Sequence, residues 1–439
     1  MISKRTTVHP KMQRNTIRIA AALFVLMLFG AYKQGVHRTI GSWNRESEVK
    51  ESEVKLDFTR DQVWVFEEYV HDEVNGAIGV SLQAANVVPT FACHFRHEFT
   101  TILSSILHEP PTIVPPNGPA LHDALAADSI ENLVLTTCTD SLKKHQKNIY
   151  ASTVHVVCLI HHSNVDVYRE LKPLMEPLAA QGRLSLLVLG EHVRKAIQAD
   201  IYDWIERMES PIWENVPLET MIPVFDYPGL AERPEPCWNI EHGRRNYDKL
   251  LADLKDALIR SPATWGWKGA EGSPFQPILD ASPFTLHLVG QINPEHHVLI
   301  PTELKDVVHI HEGLPYPEFY QFISQADIMV PAFMQRGAYE DTTSSSIAAA
   351  AITRIPVLAS ARHLGAYTYL TGPSVIERNI STSEVAAIGA LRRGPQPRRR
   401  AGTSVWNEFQ DNIIYENAKV WARLLRHRSP TLIPGTEDK

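Results

Sequence analysis

The amino-acid sequence predicts an α/β protein in which two Rossmann-like domains face each other across a cleft, preceded by a single N-terminal transmembrane helix. Three observations carry this expectation. From about Asp61 onward, short β-branched or apolar runs alternate with helical stretches, the signature of parallel strands joined by crossover helices. A proline-rich stretch, Tyr227 to Pro236, interrupts the alternation, which then resumes. The chain opens with a basic segment followed by an unbroken apolar run. At 439 residues it also exceeds the roughly 250 to 300 residues at which a single core stops growing, so two domains plus an appendage are expected.

In chain order, Lys4, Arg5, Lys11, Arg14 and Arg18 precede the apolar run Ile19 to Tyr32. A bilayer core needs about 20 apolar residues. The run is therefore short, and it suits a thin early secretory membrane with Arg18 and Lys33 reaching the interfaces. A cleaved signal peptide is the rival reading. The long basic segment and the absence of a small-x-small cleavage site favour a retained signal anchor, and the charge bias puts the N-terminus in the cytosol. Residues 1–18 are thus assigned as a cytosolic tail, 19–33 as the anchor and 34–60 as a solvated stem that repeats ESEVK. The expected localisation is a single-pass type II membrane protein of the Golgi or endoplasmic reticulum with the bulk of the chain lumenal. In that compartment Asn379-Ile-Ser381 would be a glycosylation sequon.

Residues 61–230 form the predicted N-terminal domain, with candidate strands Gln62 to Phe66, Asn132 to Thr136, Val154 to Ile160, Leu184 to Leu189 and Met221 to Phe225. The helical pattern Val167 to Leu178 contains Pro173 and Pro177, which are expected to kink or shorten it. Residues 237–402 form the predicted second domain. It opens with an amphipathic helix bearing Leu250, Leu251, Leu254 and Leu258 on one face. Further units follow at Phe284 to Val289, Val307 to Ile310, a helix Tyr316 to Gln325, Ile328 to Pro331, a helix from Ser346, and Ile355 to Leu358. The basic segment Leu391 to Arg400 reads as a solvated loop rather than a contact for anionic lipid. Residues 403–428 read as a helix that packs back across the junction.

A net charge of −7 provides no electrostatic footprint for nucleic acid. Cys93, Cys138, Cys158 and Cys237 show neither zinc spacing nor a redox motif, so no metal site is expected. Cys158 lies in an apolar run and reads as a packing residue, while one disulfide remains open.

In facing doubly wound domains, ligands bind outside the carboxyl ends of the strands. The candidate residues lie in such places. Gly290 closes the run LHLVG, and Ser344, Ser345 and Ser346 stand directly before the apolar helix IAAAA. Their hydroxyls and the backbone N–H groups of a helix's first turn suit a phosphate, although serines also cap helices without any ligand. His161 and His162 follow the strand Val154 to Ile160, where an imidazole can bind a ligand or simply hold the loop. Asn75-Gly-Ala-Ile-Gly79 is a candidate glycine loop.

The pieces Gly313-Leu-Pro315, Ala326-Asp-Ile-Met-Val-Pro331 and Ile355-Pro-Val-Leu358 resemble, in order and spacing, the donor domain of the retaining family-four GT-B glycosyltransferases. The resemblance implies transfer from a nucleotide-sugar to a glycan, lipid or protein acceptor, with retention and without a metal or other cofactor. It implies that Arg244, with Arg245 beside it, and Lys249 hold the donor diphosphate, matching the family's G-R-x-x-x-x-K. Paired cations neutralise a leaving pyrophosphate directly. The same residues also read as the polar face of a helix start. The resemblance further implies a histidine near the transferred sugar, at His161 or His162, and an acidic pair eight positions apart. Counted back from Pro356, the first acid falls on Asp341, beside Glu340. The second falls on Ala349, which cannot accept a hydrogen bond from ribose. A GT-B scaffold that only binds or assembles is the alternative reading, and a GT-B-like epimerase or phosphorylase is a third.

Overall fold

The computed structural model describes residues 63–69, 71–163, 165–208, 210–230, 237–241, 247–290, 298–333, 342–394 and 402–426. The expected tail, anchor and stem lie outside these residues. No helix among the described residues is long and apolar enough to cross a membrane.

Two parallel sheets dominate. The first contains β1 (Val63–Glu67), β2 (Thr90–Cys93), β3 (Thr112–Val114), β4 (Asn132–Leu135), β5 (His155–Ile160), β6 (Leu184–Val188) and β7 (Leu218–Thr220). Its spatial order is β3-β2-β1-β4-β5-β6-β7. The second contains β8 (Cys237–Glu241), β11 (Leu286–Gly290), β12 (Val308–Glu312), β13 (Ala326–Met329), β14 (Val357–Ser360) and β15 (Val375–Arg378), in the order β12-β11-β8-β13-β14-β15. A two-stranded hairpin, β9 (Trp267–Lys268) with β10 (Gln276–Pro277), lies between β8 and β11 in the chain. In both large sheets the first strand is central and the order reverses beside it, which is the doubly wound arrangement. Two such sheets in one chain make the α/β GT-B architecture.

The strands form because their apolar runs are buried on both faces, as a parallel sheet requires: all six residues of β5 and all five of β6 are buried. One apolar core crosses between the two lobes. Its members include Phe99 and Phe225 from the first lobe, Tyr320, Ile347 and Ala349 from the second, and Trp421 from the last helix, Thr403–Arg426. That helix packs on Asp72–Ala84, where Trp421 Nε1 donates to Ser81 Oγ at 2.8 Å.

Several expectations are corrected. Met221 to Phe225 is not a strand; β7 ends just before it. The Ile222 N–H and C=O are both taken by the side chain of Asn417, at 2.9 and 2.7 Å, so they are withdrawn from any sheet ladder. Pro223 has no N–H to contribute. The helix Val165–Ala180 runs through Pro173 and Pro177 without a break. Leu171, Met175 and Leu178, spaced for one face, are buried in the second core and hold it. Asn75 to Gly79 is not a loop but the buried part of the helix Asp72–Ala84. A Cβ on Gly76 would lie 2.8 Å from Phe99 Cζ, and one on Gly79 2.9 Å from Phe91 Cζ, so these glycines admit aromatic rings against the helix. Cys158 is not a lone packing residue, because it forms a disulfide with Cys138. Within the basic segment, Arg392 is structural: its guanidinium donates to the carbonyls of Thr264 and Ser282, both at 2.7 Å.

Candidate functional site

The carboxyl ends of both sheets meet around a cavity of about 190 Å³. From the second lobe, β11 ends at Gly290 with φ 148°, and the turn after β12 carries Gly313 with φ 64°, a left-handed conformation open to glycine at little cost. The helix Ser345–Ile352 presents Ser345, Ala349 and Ile352 to the cavity, at i, i+4 and i+7 on one face. Leu314, Tyr316, Phe319 and Tyr320 form an apolar and aromatic wall.

The first lobe contributes Glu73, from the first turn of the helix after β1, and His97, from the turn after β2. Tyr316 joins the lobes. Its hydroxyl donates to Glu73 Oε2 at 3.2 Å, its backbone N–H donates to the His97 carbonyl at 2.8 Å, and its ring meets Phe99 edge-on with centroids 4.9 Å apart. Burial, followed by the nearby Glu73 charge, pushes the Tyr316 phenol far up, so it stays a donor. Beside it Asp72 is buried, and burial followed by the Glu73 charge raises its carboxyl to about 7.

A histidine-rich locus lies at the ends of β4, β5 and β6. His161 Nε2 donates to the Thr136 carbonyl at 2.7 Å and its ring stacks on His71 with centroids 4.0 Å apart. Burial, then the neighbouring His71, holds its pKa down at about 3, so the ring is neutral. His162 Nδ1 is 2.9 Å from Thr342 Oγ1, and the two residues form an antiparallel bridge between the lobes. His192 contacts the same segment, with Nε2 3.3 Å from the Thr342 carbonyl and Nδ1 2.9 Å from that of Ala366. Thr342 to Ser345 therefore runs from the histidine locus directly into the cavity.

The predicted residues do not all meet in one place. Gly290 and Ser345 line the cavity, and so does Ala349. Ser344 and Ser346 are buried in the same helix start, where the Ser344 N–H donates to the Tyr367 hydroxyl at 3.1 Å. His161 and His162 sit at the adjoining locus. Lys249 lies on the solvent side of the helix Tyr247–Arg260, with Nζ 2.7 Å from Asp253 Oδ2. Arg244, Arg245, Glu340 and Asp341 lie outside the described residues. The sequence reading missed Glu73, His97 and the aromatic wall. The signal for Glu73 is its place in the first turn of the helix that follows the first strand, in His71-Asp72-Glu73. Among the described residues no group of three or more His, Cys, Asp or Glu side chains could hold a metal ion.

No family model matches this sequence, and no curated protein matches it. Solved structures do resemble it. The Anabaena protein HepE, crystallised with UDP and glucose, shares 12% identity over 83% of this chain and 95% of its own, with a TM-score of 0.47. A trehalose 6-phosphate synthase from Burkholderia multivorans shares 11% over 84% and 98%, with a TM-score of 0.46. The UDP-GlcNAc 2-epimerase of Neisseria meningitidis, bound to UDP-GlcNAc, shares 12% over 83% and 98%, with a TM-score of 0.41.

Proposed function

We propose that the protein is a membrane-anchored glycosyltransferase that moves a sugar from a nucleotide-sugar to an acceptor in the secretory lumen. The observation that carries this reading is the cavity at the carboxyl ends of both sheets, walled by aromatic side chains and floored by glycines and the start of the helix Ser345–Ile352. A helix N-terminus with glycine turns beside it accepts phosphate, and the apolar wall accepts a base. In the transfer the bond from the sugar's anomeric carbon to the diphosphate breaks, a bond to the acceptor oxygen forms, and the acceptor's proton leaves with the diphosphate. Arg244 and Arg245 are assigned to the departing diphosphate, aided by Ser344, Ser345 and Ser346; Lys249, which faces solvent and pairs with Asp253, is not. His161, His162, and Glu340 or Asp341, which precede Thr342 in the chain, are assigned to the transferred sugar. Retention and independence of metal belong to the same reading.

The lumenal placement is supported by the Cys138–Cys158 disulfide, since such bonds persist in oxidising compartments. The exposed Asn379 sequon suits the same side of the membrane. A second reading, a GT-B scaffold that binds or assembles without catalysis, is favoured by Ala349, whose methyl lines the cavity where an acid would serve ribose.

Calorimetric titration of the full chain with UDP, GDP, ADP and CDP tests the proposal. One nucleotide is expected to bind in preference to the others, and Arg244→Ala is expected to weaken it by about tenfold or more, the range for a hydrogen bond to a charged group. Binding by none of the four would end the donor reading in both forms. Binding without release of nucleotide from any matching nucleotide-sugar would favour the non-catalytic scaffold.

A further inference from the structure

The helix Ser345–Ile352 is a ruler along the cavity. Ser345 stands at its N-terminal end, Ala349 one turn further and Ile352 almost another turn on, all three facing the same space. At about 1.5 Å of rise per residue, Ala349 lies roughly 6 Å from the phosphate-accepting end and Ile352 roughly 10 Å. A nucleotide whose phosphates meet the helix N-terminus and whose base meets the wall of Leu314, Phe319 and Ile352 therefore lays its ribose beside Ala349. Alanine offers that sugar no hydrogen bond. A vicinal diol buried against a methyl group without acceptors would lose its water without replacement, at a cost that disfavours binding.

Among the described residues lining the cavity, one carboxylate is present, Glu73, and it comes from the opposite lobe. Its Oε2 accepts from the Tyr316 hydroxyl at 3.2 Å, which holds the side chain over the cavity. A carboxylate has about four acceptor positions. Tyr316 uses one of them, so the group retains capacity for two hydroxyl donors. His97, also from the first lobe, stands beside it.

We infer that Glu73 receives the ribose 2′- and 3′-hydroxyls of the donor nucleotide across the interlobe cleft, so that the first lobe, and not the helix carrying Ala349, reads the donor's ribose. The inference rests on the nucleotide-donor reading above. It makes donor binding a two-lobe event, because the base and phosphates lie on one lobe and the acceptor of the diol on the other. It also makes the site selective for ribonucleotides through a residue in the helix Asp72–Ala84.

The test compares whichever of UDP, GDP, ADP or CDP binds the full chain with its 2′,3′-dideoxy form. Wild-type protein is expected to prefer the ribonucleotide by about 10- to 100-fold, the range for hydrogen bonds to a charged acceptor. In Glu73→Ala that preference is expected to collapse to within about threefold, with affinity for the dideoxy form nearly unchanged, which itself reports an intact site. If Glu73→Ala does not fold, Glu73→Gln provides the same comparison with the side-chain shape kept, and a reduced preference is expected there too. Equal affinity of wild type for the two forms, or a preference that survives in the variants, overturns the assignment of Glu73 and leaves the donor reading standing. Failure of all four nucleotides to bind wild type overturns both.

Discussion

At the level of single residues, buried titratable groups set how the fold responds to pH. His161 is neutral in the folded chain because burial and His71 hold its pKa at about 3. Its unfolded value is near 6.5, so between these values the unfolded chain binds the proton and the folded chain does not. The stability this contributes is complete above about pH 6.5 and is lost as pH falls toward 3, by at most about 1.4 kcal/mol per pH unit. His161→Gln, which keeps a donor for the Thr136 carbonyl, should flatten the fall of the urea midpoint between pH 6.5 and 4. Asp72 has the opposite sign. Its carboxyl is raised to about 7, so stability present below the unfolded carboxylate pKa is lost as pH rises through 7. Asp72→Asn should therefore raise the urea midpoint at pH 8 more than at pH 5. Neither shift was legible in the sequence, where His161 read as a site residue and Asp72 carried no reading, because each depends on what the fold places around the group.

At the level of elements, the Cys138–Cys158 disulfide ties the first turn of the helix Cys138–Ala151 to β5, two residues short of the Ile160–His161 step. It closes a loop with a sequence separation of 20, for which the chain-entropy estimate is about 3 kcal/mol. Cys138→Ser with Cys158→Ser should lower the unfolding free energy by about that amount, and adding reductant to wild type should have the same effect. The last helix is the second such brace. Trp421 is fully buried against Ser81, and Trp421→Ala is expected to cost about 3–5 kcal/mol in chemical denaturation, as for other large buried aromatics. Asn417→Ala leaves the Ile222 N–H and C=O without their partner, at about 1–3 kcal/mol for each group that water cannot reach. The helix itself was legible from the spacing of Phe409, Ile413, Trp421 and Leu424. Its consequence for residues 221–225 was not, since a strand propensity gives no warning that a side chain from a distant helix takes the backbone bonds.

At the level of the whole molecule, the lobes are joined by apolar packing and by a few polar clamps, so the cavity and the stability of the fold share one surface. Arg354 donates to Asp226 at 2.6 Å across the junction, and Tyr316 reaches Glu73 and His97. Ligand binding at the junction should therefore stabilise the fold by mass action. A nucleotide at 100 times its Kd should add about 2.7 kcal/mol to the unfolding free energy. Thermal shift with and without the preferred nucleotide measures this, and the shift should be smaller in Glu73→Ala. By itself the sequence determined the alternation of strands and helices, the proline-rich break in that alternation, the glycine that ends β11 and the serines that open the helix Ser345–Ile352. All of these are written in local periodicity and turn chemistry, which act over a few residues. Tertiary structure alone decided the partner of Cys158, the role of Gly76 and Gly79 as seats for aromatic rings, and the meeting of Glu73 with Tyr316, 243 positions apart in the chain. Those depend on which surfaces the two lobes bury against each other, and no local pattern encodes a contact between segments that only the packing of the lobes brings within hydrogen-bond distance.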